Sequence, residues 1–504
     1  MSINFTRAIN FRSDMRTAPK FKEPNFTKVT DNIWDVDKSF KEGMRVPARI
    51  YSTERLLKNM DLQVFDQAAN IAMMPGIEKY AFVMPDGHSG YGSPIGGVAA
   101  FDVDREGVIS PGMVGFDINC GMRLILTDLT LKQVRPKIKE LTDNLFKRIP
   151  AGVGSKSSLV LNRDDFKELS EEGARWAIKK GYGWKEDLDV TELNGKADWA
   201  DNSKISEKAI ERGMKQIGTL GSGNHYLEVQ YIKPEDIKNK ALAKKWGVFP
   251  NQIVIMFHTG SRGAGHQIAS DYTQSFLEVM DSKYHIKVND RELACAPFNS
   301  KEGQNYYEAM GCGVNISFAN RQLILHKIRE AFSEVFKKDA EKLGMHQLFD
   351  IAHNRASLER HKIDGEIKEL LVHRKGSTGS YPPGRKEIPK KFREDGSPVI
   401  IGGSMETGSY LMVGGPNAPE TFDSTAHGSG RTMSRTKARG MVKGKDLFEK
   451  MLRNGIYVKS VSWSGLAEES AESYKDIDEV VDAVDSAGLS KKVSRFTPLS
   501  NVKG

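Results

Sequence analysis

The stretch "IVIMFHTGSRGAGH", residues 253–266, decides the fold class: five apolar residues run into His258, and a turn rich in glycine and hydroxyl side chains follows at once. A short apolar run bounded by turn residues reads as a buried strand, and this one delivers a histidine at its end. The runs "ELLV" (369–372) and "PVIIGG" (398–403) are stopped in the same way. Other segments have the period of a helix. Ile138, Leu141 and Leu145 in "RPKIKELTDNLFKRIP" (135–150) share one face, and so do Leu325, Ile328, Phe332 and Val335.

Strand and helix signals interleave from about residue 30 to 504 without a linker, and nothing repeats with a period of about 20–50 residues. The expectation is an α+β (mixed α/β) architecture forming one large catalytic domain over residues 31–504. Central β-sheets would line a binuclear metal pocket, with helices packed outside. Residues 1–30 read as a flexible basic arm, with a transit peptide as the open alternative. The segment 372–398, dense in glycine, proline and basic residues, reads as a long surface loop.

Composition excludes several classes. With 28% charged and 39% hydrophobic residues the chain is of the folded globular type, and no apolar run approaches the about 18–20 residues of a membrane helix. Three widely spaced cysteines, Cys120, Cys295 and Cys312, argue against a disulfide framework and for a reducing compartment. That predicts a cytoplasmic protein, leaving the nucleus or an organelle open. The surplus of +8 is compatible with a groove for a polyanion and by itself establishes none.

Four histidines stand where a strand gives way to a polar or glycine-rich turn: His225 in "GSGNHYLE", His258, His353 after "LFDIA", and His427 opening "HGSGR". The others, such as His285, His326, His346 and His361, read as satisfied or surface imidazoles. "GFDINCG" (115–121) sets Asp117 three residues from Cys120. A lone buried cysteine is ordinarily a small apolar residue. One Cys, one Asp and three His together read as a binuclear site in which the Cys120 thiolate bridges two cations, Asp117 and His225 completing one and His258 and His353 the other. Ligand softness suggests zinc or cobalt and leaves the metal's identity open. The turns "GTLGSGNH", "IGGSMETGS" and "HGSGR" bare backbone N–H groups that can approach phosphates, which suggests a nucleoside triphosphate. His427, followed by Arg431 and Arg435, reads as a nucleophile with cations ready for a phosphoryl group, the alternative being one more metal ligand. Two other classes stay in view, a two-metal phosphoesterase acting on RNA ends without a nucleotide and an inactive RNA-binding scaffold.

"MPDGHSGYGSPIGGVAAFD" (84–102), "GFDINCG", "GSGNHYLEVQ", "HTGSRGAGHQ", "AHN", "LLVHRKGST", "HGSGR" and the terminal "VKG" together resemble, in order and spacing, the RtcB-type RNA-splicing ligases. The resemblance runs from about residue 30 to 504. It implies a manganese- and GTP-dependent ligase that joins RNA 2′,3′-cyclic phosphate or 3′-phosphate ends to 5′-hydroxyl ends, in tRNA splicing or RNA repair. Two Mn²⁺ ions would sit on Asp117, Cys120 and His225 and on Cys120, His258 and His353. His427 would attack the α-phosphate of GTP. Asn224, His225, Tyr226, Leu227, Glu228, His353, Asn354, Gly402, Gly403, Ser404, Met405, Ser409, Gly428, Ser429, Gly430, Tyr474 and Lys503 would surround the nucleotide. Arg212, Arg262, Asn354 and Arg435 would receive the RNA phosphate, with Asp86 and Arg431 supporting. RNA and GTP are the implied partners, with an archease-type activator and a monomeric catalytic unit. Three departures stand out: Glu406 inside the nucleotide turn, where a carboxylate would crowd phosphates, Arg355 after "AHN", and the run "SWSGLAEESAESYKD" before Tyr474.

Overall fold

The apolar run at 253–257 forms the middle of strand Gln252–Thr259, buried along its whole length. In the computed structural model, which describes residues 21–157 and 159–504, it lies between Gly121–Thr130 and Tyr226–Tyr231, antiparallel to both. These belong to an eight-stranded sheet ordered Gln347–Ala352, Gly121–Thr130, Gln252–Thr259, Tyr226–Tyr231, Ser490–Lys503, Ser409–Gly414, Pro398–Ile401. Its eighth strand, Tyr457–Ser460, runs parallel beside Ser490–Lys503. Alternation of side chains along the central strand explains its uninterrupted apolar sequence. Ile253, Ile255 and Phe257 pack with Leu141, Leu145, Ile328 and Phe332 from the helices on one face. Val254 and Met256 face the other way, toward Met122, Leu124, Tyr226 and Leu411.

A second, seven-stranded sheet is ordered Phe26–Thr30, Ile33–Val36, Ala48–Tyr51, Ala81–His88, Ile95–Asp102, Glu366–Lys375, Asn354–Ile363. Only its Ala48–Tyr51 and Ala81–His88 pair is parallel, so the architecture is mixed α/β with largely antiparallel sheets. The sheet begins inside the segment read as an arm, because Phe26–Thr30 pairs with Ile33–Val36 and Phe26 meets Phe65 edge to face at 5.1 Å. Residues 1–20 of that segment lie outside the described residues.

The surface loop expected over 372–398 is corrected. Residues up to Lys375 are strand, Ser377–Gly379 pairs with Ser424–Ala426, and Tyr381, Ile388 and Phe392 are buried. Two of its basic residues, Arg374 and Lys375, misled because they are internal, whereas Lys386, Lys390, Lys391 and Arg393 are exposed between the strands that end at Gly379 and begin at Pro398. Arg374 is clamped on both carboxylate oxygens of Glu359 with both residues buried, and Lys375 donates to the carbonyls of Ser93 (3.1 Å) and Gly112 (2.9 Å).

Helix Lys301–Phe336, 36 residues long, pins the first sheet from behind. Arg321, fully buried, grips Asp350 with two nitrogens (2.7 and 2.8 Å) and reaches the carbonyls of Asn119 (2.8 Å) and Thr259 (3.1 Å). Arg123 takes the same carboxylate at 2.7 Å. Burial alone would push Asp350 upward, but the two guanidiniums hold it below the usual carboxylate range. Removing it leaves two uncompensated buried charges. Asp350→Ala is expected to cost about 3–5 kcal/mol in urea unfolding, and Asp350→Asn distinctly less; equal, small losses would show that the guanidiniums find water instead.

Candidate active site

Four neighbouring strands end on one rim, and the order of the sheet does the assembling. Cys120 immediately precedes Gly121–Thr130, His258 is the penultimate residue of its strand, His225 immediately precedes Tyr226–Tyr231, and His353 immediately follows Gln347–Ala352. The register aligns them: Gly121 is opposite both Ala352 and Thr259, and His258 is opposite both Met122 and Tyr226. Antiparallel neighbours therefore bring starts and ends together. The fifth strand adds Lys503, opposite Tyr226.

The donor atoms converge. Cys120 Sγ lies 3.0 Å from His258 Nε2 and 3.3 Å from His225 Nε2, with His258 Nε2 3.1 Å from His353 Nε2 and Asp117 Oδ2 2.9 Å from His225 Nε2. Cys120, His225 and His258 offer ligand atoms all within 4.8 Å of one another. Backbone carbonyls orient the rings: Leu220 O is 3.0 Å from His225 Nδ1, and Asn224 O is 3.0 Å from His258 Nδ1. A ring that donates through Nδ1 turns its Nε2 lone pair toward the cluster, as metal-binding histidines do. Arg262 Nη1 also approaches His225 Nδ1 at 3.3 Å, which fits the other tautomer, with Nε2–H on Asp117. The shorter carbonyl contact favours the Nδ1–H form, and that form frees Nε2 for a cation shared with Asp117.

Electrostatics suit a cation as well. Burial holds His258 and His353 neutral, well below the ordinary histidine range, so each keeps a ring lone pair that can be offered to a cation. Burial pushes the Cys120 thiol up and Asp117 adds to it, a shift that a cation would reverse. Asp117 is itself held low by His225 against the upward push of burial. Gly260 makes room for it, since a Cβ there would lie 2.4 Å from Asp117 Oδ1. The donor set thus fits metal ions.

His427 joins from a separate segment, directly after strand Ser424–Ala426, and is held by the seven-stranded sheet. Asp86, on strand Ala81–His88, accepts from His427 Nδ1 at 2.7 Å and from the backbone N–H groups of His427 and Gly428 at 3.1 and 3.2 Å. The His427 ring lies 4.6 Å from that of His353, centroid to centroid. His427 lines two cavities. A cavity of about 190 Å³ is bounded by Asn224, Tyr226, Glu228, Gly402, Gly403, Ser404, Met405, Gly428, Ser429, Gly430, Arg431, Tyr474 and Lys503. A groove of about 710 Å³ is bounded by Asp117, Cys120, His225, Arg262, His353 and Asn354. Arg435 and Asn224 border both. Gly402 lies so close over Tyr226 that a Cβ there would be 2.3 Å from the phenol oxygen.

Inside the cavity Lys503 is fully engaged, donating to Gly223 O (2.7 Å), His225 O and Glu469 (both 3.1 Å). Arg431 and Tyr474 also bond Glu469, and burial of that carboxyl is outweighed by Lys503 and Arg431, which hold it low. Glu228 differs. Its Oε2 accepts from Gln230, whereas Oε1 is buried without a partner, and burial raises it to about 8.

Several expected contacts are not made directly. Leu227 turns its side chain into the core beside Leu145 and Ile255, because alternation along its strand sends Tyr226 and Glu228 to the cavity and Leu227 away from it. Ser409 lies behind the turn, accepting from Gln230 (3.2 Å) and Gly403 N (3.4 Å). Arg212 lies outside the lining of both cavities and donates to Gln267. Glu406 does not crowd the 402–405 turn: its carboxylate faces Lys450 (2.7 Å) and accepts from Ala471 N (3.0 Å). Arg355 braces the His353 turn through Glu192, which also accepts from Ala352 N. Sequence reasoning passed over His88 and Glu469, which line the cavity. Both lie inside quoted segments, His88 in 84–102 and Glu469 in the run before Tyr474.

The tRNA-splicing ligase RtcB family model matches residues 67–504. The tRNA-splicing ligase RtcB of Methanococcus maripaludis is 50% identical over 479 residues, covering 95% of this chain and 99% of the relative. Those of Thermococcus kodakarensis and Archaeoglobus fulgidus are 49% and 48% identical, each again over 95% of this chain and 98% of the relative. This chain belongs to the RtcB family. It is a ligase, and the resemblance read from its motifs holds over nearly the whole sequence. Among the described residues of this RtcB-family chain no helix is long and apolar enough to cross a membrane.

Glu228 gives a pH signature. Its folded value of about 8 lies above the ordinary 4.5, so the folded protein holds this proton more tightly than the unfolded chain and loses stability as pH rises from about 4.5 to about 8. Glu228→Gln is expected to raise the melting temperature over the parent at pH 8, with the gap closing toward pH 4.5. A gap independent of pH in thermal scans would show that the carboxyl does not titrate in this window.

Proposed function

We propose that this RtcB-family ligase seals RNA ends in tRNA splicing and RNA repair, joining 2′,3′-cyclic phosphate or 3′-phosphate ends to 5′-hydroxyl ends with GTP and manganese. The observation that carries this reading is the position of His427, which lines both the smaller cavity and the larger groove. A group carried from a nucleotide on one side to a polynucleotide end on the other needs a carrier that touches both.

Asp86 accepts the Nδ1 proton and so leaves the Nε2 lone pair of His427 free. His427 Nε2 attacks the α-phosphorus of GTP, and pyrophosphate leaves. Once water has opened the cyclic phosphate, the RNA 3′-phosphate displaces His427 and takes the GMP, giving an end capped 3′-pp-5′-G. The 5′-hydroxyl then attacks, GMP departs and the phosphodiester is made. The covalent stage splits one hard displacement into easier ones. Cys120 would bridge two manganese ions, with Asp117 and His225 on one and His258 and His353 on the other; bound there, they supply charge stabilisation to phosphoryl oxygens. The orphan Oε1 of Glu228 would accept an N–H or O–H of the nucleoside once the carboxyl gives up its proton. The 402–405 turn and the 428–430 backbone would hold phosphates, with Arg262, Asn354 and Arg435 receiving the RNA end.

Incubation with manganese and α-labelled GTP is expected to leave label on the parent that acid releases and alkali spares, and none on His427→Ala. Retained label in that variant would remove the proposed carrier. Asp86→Asn is expected to slow labelling by about 10²–10⁴-fold, through the wrong tautomer. Cys120→Ser is expected to lower labelling more than Arg262→Ala, measured on the same scale.

A further inference from the structure

Between positions 431 and 463 lie nine basic residues, Arg431, Arg435, Lys437, Arg439, Lys443, Lys445, Lys450, Arg453 and Lys459, against two acids, Asp446 and Glu449. This stretch alone accounts for most of a surplus that is +8 for the whole chain. It folds as helix Arg435–Met441, helix Gly444–Arg453, strand Tyr457–Ser460 and the short helix Trp463–Ala467, gathered on a small core of Met405, Leu447, Met451, Ile456, Val458 and Leu466.

Some of the cations are spent internally: Lys450 on Glu406 (2.7 Å), Arg439 on Glu468 (2.8 Å), Lys459 on Asp143 (3.2 Å). Lys437, Lys443, Lys445 and Arg453 are exposed and enter no ion pair among the described residues. The surface they form continues from the groove. Arg435 opens the first helix and borders both cavities, while Val461, Ser462, Ser464 and Gly465 line the groove. Trp463, between Ser462 and Ser464 in the chain but not itself part of the lining, has 55% of its surface exposed, and Val461 has 53%. The indole is backed edge-on by Phe448 at 5.6 Å. Gly444 abuts the same residue, a Cβ there falling 2.0 Å from Trp463 O, which sets Lys443 and Lys445 beside it.

A large aromatic ring left in water and held from behind, with the free cations Lys443 and Lys445 on either side of the glycine that abuts its backbone and groove-lining residues on either side of it in the chain, combines the two features by which proteins hold single-stranded nucleic acid: phosphates meet cations, bases meet the ring. We propose that this face carries the RNA strand leading away from the joint, with Trp463 stacking a base and Lys437, Lys443 and Lys445 neutralising phosphates. The inference rests on the reading of RNA ends as the substrate.

The test is binding of a fluorescent single-stranded RNA ending in a 5′-hydroxyl, titrated at several salt concentrations, beside GTP labelling of the same proteins. Trp463→Ala is expected to weaken binding about tenfold, the scale of one lost base stack, and Trp463→Phe to restore most of it. Replacing Lys437, Lys443 and Lys445 by Gln is expected to lower the slope of log affinity against log salt by about two, since each phosphate contact on a single strand contributes about 0.7. GTP labelling of all three variants is expected to match the parent. Unchanged RNA affinity and salt slope would overturn the docking face, whether or not labelling occurs. Absence of label from the parent would instead overturn the ligase mechanism and leave the binding comparison to be read on its own. Equal weakening for an acidic peptide would assign the face to polyanions at large and overturn the stacking role.

Discussion

Arg321 is the constraint from which the site follows. Its guanidinium binds the carboxylate of Asp350, three residues before His353, the carbonyl of Asn119, the residue before Cys120, and the carbonyl of Thr259, the residue after His258. One buried cation thereby fixes the ends of the three strands that carry three candidate ligands. Asn320 beside it extends the hold, accepting from Gly218 N and donating to Gly260 O, on the two loops that flank His225 and His258. A buried charge is costly unless every donor is met, and here the backbone that meets it is the backbone that must be still.

The two sheets divide the labour. The eight-stranded sheet presents the thiol, the carboxylate and three imidazoles on one rim, all from neighbouring strands. The seven-stranded sheet contributes Asp86, which takes hold of His427 from a separate segment. The candidate carrier therefore lies at the seam between the layers, within 4.6 Å of a candidate metal ligand and open to space on both sides. Groups on the cavity side are largely satisfied by one another, as in the Lys503, Glu469, Arg431 and Tyr474 network. The exceptions are Glu228 Oε1 and Ser429 Oγ, buried polar atoms with no partner among the described residues, which are the atoms a ligand would have to meet.

Much of this was legible in the sequence where local chemistry carried it. Apolar runs stopped by glycine marked the buried strands, helical spacing marked the faces of Ile138–Arg148 and Lys301–Phe336, and the residues at strand ends marked the ligands. The reading failed where a side chain's partner lies far along the chain. Arg374 and Lys375 looked like loop cations because Glu359 and the carbonyls of Ser93 and Gly112 are brought to them only by folding. Glu406 looked like an intruder because Lys450 and Ala471 N are 44 and 65 residues away. Leu227 was counted with its neighbours because motif adjacency ignores the alternation that turns every second side chain of a strand away.

What the chain carries locally is the apolar runs that become its buried strands, the spacing of its helix faces, the residue types at strand ends, and the motif order that marks its family, because periodicity, turn chemistry and motif order are local properties. Folding alone settles which ends meet, that the His427 imidazole is held by Asp86, that Lys503 is buried on Glu469, and that Gly444, between the free Lys443 and Lys445, abuts the backbone of an exposed Trp463. Those facts depend on strand order, register and the crossing of two sheets, and they are fixed by long-range burial and pairing that no window of sequence contains.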